Sequence, residues 1–165
     1  ETIVPKMQLD RVVKQMHKSH PYEEVAYDIY PLKNLGEGFG LGMLGDYLQP
    51  LDKDDFIKLI KQGLKIPSVR IAGQLPKQLK RVAVCGGSGG NMIAHAAFSG
   101  AQALLTGDVG YHQAQEAAQL NIATIDAGHG ATERLVMPHL ANLIEQELDL
   151  EVFISKAKNE PWQEF

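Results

Sequence analysis

Residues 81–126 of the chain read RVAVCGGSGGNMIAHAAFSGAQALLTGDVGYHQAQEAAQLNIATID. Three short apolar runs, RVAVC, ALLTG and IATID, alternate in this stretch with two segments whose apolar residues have helical spacing. The first helical segment follows the turn GGSGG and ends at Gly100. Short apolar strands that alternate with helices favour a mostly parallel sheet with helices on both faces. The stretch therefore predicts an α/β fold.

The flanking residues extend this pattern. After it, ATERLVMPHLANLIEQEL (131–148) predicts a third helix, which Pro138 is expected to kink or to split near its first turn, and EVFIS (151–155) predicts a last strand. Before it, DKDDFIKLIKQGLK predicts a helix with Asp52 as its N-cap, acids in the first turn and lysines in the last. SVRIAG predicts a short strand and PKQLK a connector. Residues 51–165 are therefore interpreted as one α/β domain.

The beginning of the chain is organised differently. KMQLDRVVKQMHKSH predicts a helix that ends before Pro21, TIVP a short strand, and EEVAYDIYPL a half-buried strand. A helix and a strand cannot close a core alone, so residues 1–32 are interpreted as the tail of a small α+β module. Residues 33–50, with five glycines between positions 36 and 45, are expected to form an irregular crossover. Because the chain begins with Glu1, it is expected to be a fragment of a longer protein.

Composition excludes several classes of protein. The net charge of −4 provides no strong field for binding nucleic acid or an anionic membrane. No apolar run approaches the roughly 20 residues of a membrane span. A single cysteine, Cys85, excludes an internal disulfide framework and fits a reducing compartment, so a cytoplasmic protein is expected.

Polar residues follow each of the three central predicted strands. Ligands of open α/β sheets bind beyond the carboxyl ends of the strands, where this sequence places Ser88, Asp108 and Asp126. His112 lies one helical turn after Asp108, and His129 and Glu133 follow the third strand. The sequence predicts that the rim holds one cluster of imidazoles and carboxylates, formed by Asp108, His112, Asp126, His129 and Glu133. Such a cluster suits a divalent cation such as zinc, manganese or iron(II).

The turn GGSGG, residues 86–90, has two interpretations. Its glycines leave backbone N–H groups free at a helix N-terminus, which suits a phosphate or another anion, and Ser88 is then a candidate binding residue. The alternative is a purely structural tight turn between strand and helix.

The spacing of His129 and Glu133 does not by itself identify a metal site. Residues i and i+4 share one face of a helix, but the same spacing occurs at His20–Glu24 and at His112–Glu116. His129 differs because it follows a strand end and lies between Gly128 and Gly130, which let a ligand approach the imidazole. A metal ligand and a helix-capping or hydrogen-bonded histidine remain the two alternatives.

The same residues carry a resemblance to a known family. HPYEEVAYDIYPL, GFGLGMLGDY and the stretch from RVAVC to DAGHGATE resemble, in order and spacing, the NIF-three-like family, also described as GTP cyclohydrolase type-two homologues. The resemblance covers essentially the whole chain. It identifies residues 1–32 with the end of an inserted module similar to the PII and CutA ferredoxin-like folds.

The resemblance implies a toroidal hexamer with two divalent metal ions in each intact subunit. His129 and Glu133 match the family's ligands in this part. Asp108 and His112 match residues that border the same cleft and are candidates for supporting the metal ligands or for catalytic proton transfer. The family's other ligands come from an N-terminal half, so this chain alone is expected to bind metal weakly or not at all.

Two functions are compatible with this resemblance. One is a metal-dependent hydrolase acting on a nucleotide-like or other phosphate-bearing small molecule. The other is a non-catalytic regulatory or scaffold ring that senses a small molecule through its PII-like insert.

Overall fold

The computed structural model describes residues 1–33, 38 and 40–157. Parts of the predicted crossover, residues 34–37 and 39, lie outside this range, as do residues 158–165. The chain divides into two compact units, Glu1–Gly40 and Leu41–Phe165. None of the helices in the described ranges has the length and apolar character needed to cross a membrane.

The first unit contains the predicted helix but no strand among its described residues. Helix α1, Leu9–Ser19, follows a 3-10 turn at Lys6–Gln8. The strands predicted from TIVP and EEVAYDIYPL are wrong, because residues 2–5 and 23–32 form no ladder with another strand. An alternating pattern becomes a strand only when a neighbour pairs with its backbone groups, and Ile29 and Tyr30 are largely exposed here. The ferredoxin-like origin of this unit stays a prediction.

The second unit is built on a mixed five-stranded sheet in the order β1-β3-β4-β5-β2. The strands are β1 Met43–Asp52, β2 Arg70–Ala72, β3 Gln78–Ser88, β4 Ala103–Gly107 and β5 Ala123–Asp126. The three central strands are adjacent and parallel, as predicted.

Both edge strands are antiparallel to their neighbours, so the sheet is mixed and the prediction of a mostly parallel sheet is wrong in this respect. Parallel neighbours need a crossover connection, whereas an edge strand has only one neighbour and often runs the other way in α/β proteins.

Three local predictions need correction. Strand β1 occupies much of the stretch interpreted as an irregular crossover, where an exposed edge position and Gly45 hide its alternation. The predicted connector PKQLK contains the beginning of β3. Residues 151–155, predicted to form a last strand, pair with no other strand in the described part of the chain.

Helices cover both faces of the sheet. Helix α2, Lys53–Leu64, lies on one face, and α3, Ile93–Phe98, and α4, Tyr111–Gln119, lie on the other. Asp52 caps α2, because its Oδ1 accepts a hydrogen bond from the Asp54 N–H at 2.9 Å.

The predicted third helix is divided into α5, His129–Glu133, and α6, Val136–Leu148. Pro138 lies in the first turn of α6, where a missing N–H costs nothing. The predicted split near this proline is thus confirmed.

Each face of the sheet has its own apolar core. On the α2 face, Phe56 and Ile60 pack with Val82 and Ile125. On the opposite face, Ile93 of α3 and Ala117 of α4 pack with strand and loop residues that include Leu104 and Ile122. The two cores hold the carboxyl ends of β3, β4 and β5 at one edge, where the candidate site lies.

Candidate functional site

His129 begins α5 just beyond the end of β5. Gly128, directly before it, has a φ of 86°, which side chains of L-residues rarely allow. A Cβ atom on Gly107, at the end of β4, would lie 2.7 Å from the backbone nitrogen of His129. The absence of a side chain at Gly107 and Gly128 thus lets the two loops touch and places the imidazole at the rim of the sheet.

The imidazole of His129 lies between two carboxylates. Its Nδ1 is 2.6 Å from Oδ2 of Asp108, and its Nε2 is 3.1 Å from Oε1 of Glu133. The hydrogen bond with Asp108 raises the pKa of His129 above its ordinary value, desolvation of the ring opposes this, and the negative charge of Glu133 adds to the rise. The two carboxylates therefore favour the protonated ring, and a metal ion that binds Nε2 has to displace its proton.

Two of the predicted rim residues form no hydrogen bond or ion pair with the side chains of His129 and Glu133 in the described part of the chain. His112 lies in the first turn of α4, is exposed, and contacts the ring of Tyr111 edge-on at 5.7 Å. Within the described ranges it forms no hydrogen bond or ion pair with His129, Asp108 or Glu133, and its catalytic role stays a prediction. The carboxylate of Asp126 is buried and accepts hydrogen bonds from backbone N–H groups.

The buried carboxylate of Asp126 has three donors. Its Oδ1 accepts from the Gly128 N–H at 3.0 Å, and its Oδ2 accepts from the Val109 N–H at 3.2 Å and pairs with Arg70. Sequence reasoning missed Arg70, because only the antiparallel register of β2 and β5 places it opposite Asp126. That register depends on the fold and has no local signal.

The glycine turn, residues 86–90, overlaps the end of β3, because its first three residues belong to the strand. It is held by two threonines that the sequence did not single out. The Gly87 N–H donates to Oγ1 of Thr132 at 2.9 Å, and the Gly89 N–H donates to Oγ1 of Thr106 at 2.9 Å. These two amides are therefore already paired within the protein, which favours the structural interpretation of the turn. Ser88 is exposed as the last residue of β3, where it pairs with Gly107 of β4, and a role in ligand binding stays a prediction for it.

The donors present fit one part of a metal site. Histidines that bind metals usually donate their second ring N–H to a carboxylate, as His129 does if its Nδ1 carries the proton shared with Asp108. Nε2 of His129 and Oε1 of Glu133 then face the same point. Two protein ligands do not complete a stable site, and the described residues contain no group of three or more His, Cys, Asp or Glu around one position.

Comparisons with known proteins identify the family of this chain. The sequence profile of Duf34/NIF3 (NGG1p interacting factor 3) matches residues 6–161. The chain belongs to the Duf34/NIF3 family. This confirms the resemblance drawn from HPYEEVAYDIYPL, the glycine-rich stretch and DAGHGATE.

Relatives within the Duf34/NIF3 family are longer than this chain. A protein of Halalkalibacterium halodurans named GTP cyclohydrolase 1 type 2 homolog is 39% identical over 166 residues, which are 98% of this chain and 45% of the relative. The crystal structure of a Bacillus cereus protein related to NIF3 matches with a TM-score of 0.77 and 34% identity, covering 98% of this chain and 46% of that one. The structure of Staphylococcus aureus protein SA1388 matches with a TM-score of 0.80 and 29% identity, covering all of this chain and 55% of that one. The chain thus spans about half the length of these Duf34/NIF3 relatives.

Proposed function

We propose that His129 and Glu133 bind a divalent metal ion, zinc, manganese or iron(II), in a metal-dependent hydrolase of the Duf34/NIF3 family. The observation that carries this proposal is the 3.1 Å contact between Nε2 of His129 and Oε1 of Glu133, at the edge formed by the carboxyl ends of the parallel central strands. An imidazole and a carboxylate that meet at such an edge are donors of the kind that these ions prefer.

The residues around the pair prepare it for this role. In the neutral imidazole, Nδ1–H donates a hydrogen bond to Asp108, which leaves the lone pair of Nε2 free for an ion on the side of Glu133. Gly87 and Gly107 have no side chains that would block the approach to Glu133 and His129. A bound divalent ion would supply Lewis acidity and lower the pKa of a water molecule.

A nucleotide-like or other phosphate-bearing molecule is the substrate class that we propose. Two features support it: the relatives' names refer to GTP cyclohydrolase, and the glycine turn with exposed Ser88 lies next to Glu133. Since the amides of Gly87 and Gly89 are paired internally, the Ser88 hydroxyl is the group of this turn that we assign to substrate binding. His112 is proposed for proton transfer, because it follows the loop that carries Asp108.

The remaining ligands are proposed to come from outside this chain. A site with two protein ligands is incomplete, and the relatives are about twice as long as the chain. We therefore propose that the intact protein holds two metal ions in each subunit and assembles as a homo-oligomer, a hexamer, as the family resemblance implies.

Metal-dependent turnover by the complete gene product tests this function. The protein is stripped with a chelator, reloaded with Mn²⁺ or Zn²⁺, and assayed against GTP, other nucleotides and simple phosphate esters. We expect hydrolysis that depends on the added metal and is lost in Glu133→Gln, which keeps the shape of the side chain but removes its charge. Glu147→Gln, at an exposed position of α6, is the matched control and should behave like the wild type. Absence of turnover in a fully metal-loaded protein would contradict the hydrolase assignment.

A further inference from the structure

The buried side chain of Asp126 touches both loops that form the candidate site. It lies at the end of β5 and is 7% exposed. One of its oxygens accepts from the Gly128 N–H and the other from the Val109 N–H. A buried carboxylate is costly unless its oxygens are paired, so these contacts are strongly favoured once the strand end is buried.

The two amides are each one residue away from the side chains that meet in the site. Val109 follows Asp108, and Gly128 precedes His129. One carboxylate therefore sets the separation of the β4–α4 loop from the β5–α5 loop, and with it the 2.6 Å contact between Asp108 and His129.

The backbone of the β4–α4 loop needs external support. Asp108 in this loop has a φ of 55°. A non-glycine residue in the left-handed region is unfavourable by itself and persists where the surroundings hold it. The hydrogen bond that Asp126 accepts from the Val109 N–H, directly after Asp108, holds the backbone at this point.

We propose that Asp126 is the positioning residue of the candidate metal site, holding Asp108 and His129 in register without itself contacting the ion. This inference rests on the proposed function for the ion, whereas its structural part concerns the two loops alone. Arg70 completes the arrangement, because its guanidinium supplies the opposite charge to the buried carboxylate from the neighbouring strand β2.

Two variants separate positioning from simple charge pairing. Asp126→Asn keeps the shape of the side chain but replaces one acceptor oxygen with an NH₂ group. The side chain can then no longer accept hydrogen bonds from both loops. Arg70→Gln removes the cation and leaves both oxygens of Asp126 for the loop amides. The double variant Arg70→Gln/Asp126→Asn guards against a folding defect, because it leaves no buried charge without a partner.

Two measurements are made on the complete gene product. The first is the Mn²⁺ dissociation constant, obtained by competition with a chelating dye. The second is hydrogen–deuterium exchange of the metal-free protein, followed by mass spectrometry in peptides covering residues 107–112 and 126–131, with residues 53–64 of α2 as the internal control. The exchange rates measure how firmly the two loops are held in the metal-free protein. They therefore test the positioning role even if the protein binds no ion.

We expect Asp126→Asn and the double variant to weaken Mn²⁺ binding about tenfold, at the low end of the effect seen for residues that orient metal ligands. Exchange should rise in the two loop peptides alone, while Arg70→Gln should change the dissociation constant less than about threefold. Unchanged exchange in both loop peptides would overturn the proposal, as would an equal rise throughout the chain. A wild-type protein that binds no Mn²⁺ while the loop peptides respond as expected would refute the proposed metal function and leave the loop positioning supported.

Discussion

A Cβ atom built on Gly87 would lie 2.5 Å from Oε1 of Glu133. The glycine turn at the end of β3 is thus in contact with the carboxylate at the end of α5, although 46 positions separate Gly87 from Glu133 in the sequence. The same turn is tied to α5 by the hydrogen bond from the Gly87 N–H to Thr132. The empty space at Gly87 is therefore part of the candidate site.

Gly87→Ala should weaken metal binding in the complete gene product more than it destabilises the fold. The new methyl group displaces the flexible end of Glu133 from His129, whereas the left-handed φ of 65° costs about 1–2 kcal/mol of stability. Gly100→Ala is the matched control, because it has a similar φ of 80° and only ordinary contacts. Mn²⁺ titration and thermal unfolding of both variants check this. Equal loss of Mn²⁺ affinity in the two variants would contradict it.

His129→Ala should remove most of the bound metal from the complete gene product and leave the fold intact. The side chain of His129 is 46% exposed at the rim, so its loss creates no cavity in either core. Elemental analysis after dialysis against a mild chelator measures the metal, and circular dichroism measures the fold. His95→Ala, at an exposed position of α3, should keep its metal. A His129→Ala protein that also retains its metal would refute the assignment of this ligand.

The 165-residue chain alone should bind Zn²⁺ or Mn²⁺ at least about tenfold more weakly than a Duf34/NIF3 protein of the relatives' full length. Metal binding contributes free energy only where the whole set of ligands can converge, and this chain supplies His129 and Glu133. Isothermal titration of the chain and of the Halalkalibacterium halodurans relative provides the comparison. Comparable affinities would show that the chain completes the site by itself.

Leu104→Ala should destabilise the chain by about 2–5 kcal/mol. Leu104 is 1% exposed in the central strand β4, so shortening it leaves a cavity beneath α3 and α4. Leu48→Ala in edge strand β1 should change stability by less than about 0.5 kcal/mol, because Leu48 is almost fully exposed. Denaturant unfolding of both variants measures the difference in the free energy of unfolding. A loss of less than about 0.5 kcal/mol in Leu104→Ala would show that this side chain is not part of the packed core.

The ion pair between Asp46 and Arg81 should make stability depend on pH at the acid end. These residues are opposite each other on β1 and β3, and the guanidinium donates from Nε at 2.8 Å and from Nη2 at 2.7 Å. This hydrogen bonding lowers the pKa of Asp46 below its ordinary value of 3.8. The stabilisation is therefore complete above pH 3.8 and is lost as the pH falls through the lowered value.

A double-mutant cycle checks this pH dependence. Asp46→Asn should lower the melting temperature at neutral pH and lose this effect in strongly acidic buffer. In an Arg81→Gln background the same substitution should have little effect at either pH. An Asp46→Asn effect that persists at acid pH would show that the carboxylate charge is not responsible.

Residues close together in the sequence made part of the candidate site predictable. His129 and Glu133 lie on one short helix, so the i,i+4 geometry and the preceding strand end were sufficient to place them together. Asp108 was predictable because parallel neighbouring strands bring their carboxyl ends to one edge. The role of His112 stays a prediction, because a helix that begins beside the site turns only some of its side chains towards it.

Contacts that depend on strand register could not be predicted from the sequence. Arg70 reaches Asp126 only because β2 runs antiparallel to β5, and Thr132 reaches Gly87 only because α5 packs beside the end of β3. Neither pair has a spacing or composition that marks it in the chain. Strand β1 was missed for the related reason that an exposed edge strand shows little apolar alternation.

The sequence by itself determined the three central parallel strands, the helices between them and the His129–Glu133 pair, because apolar periodicity, caps and glycine turns act over a few residues. The tertiary structure alone decided the direction of the edge strands and the internal pairing of the Gly87 and Gly89 amides. It also decided that Asp126, predicted to lie in the rim cluster, is buried and accepts hydrogen bonds from two loops. These outcomes depend on which distant backbone groups and charges meet once the sheet has formed. Their energies come from burial and from hydrogen bonds across the sheet, and these contacts exist only in the folded chain.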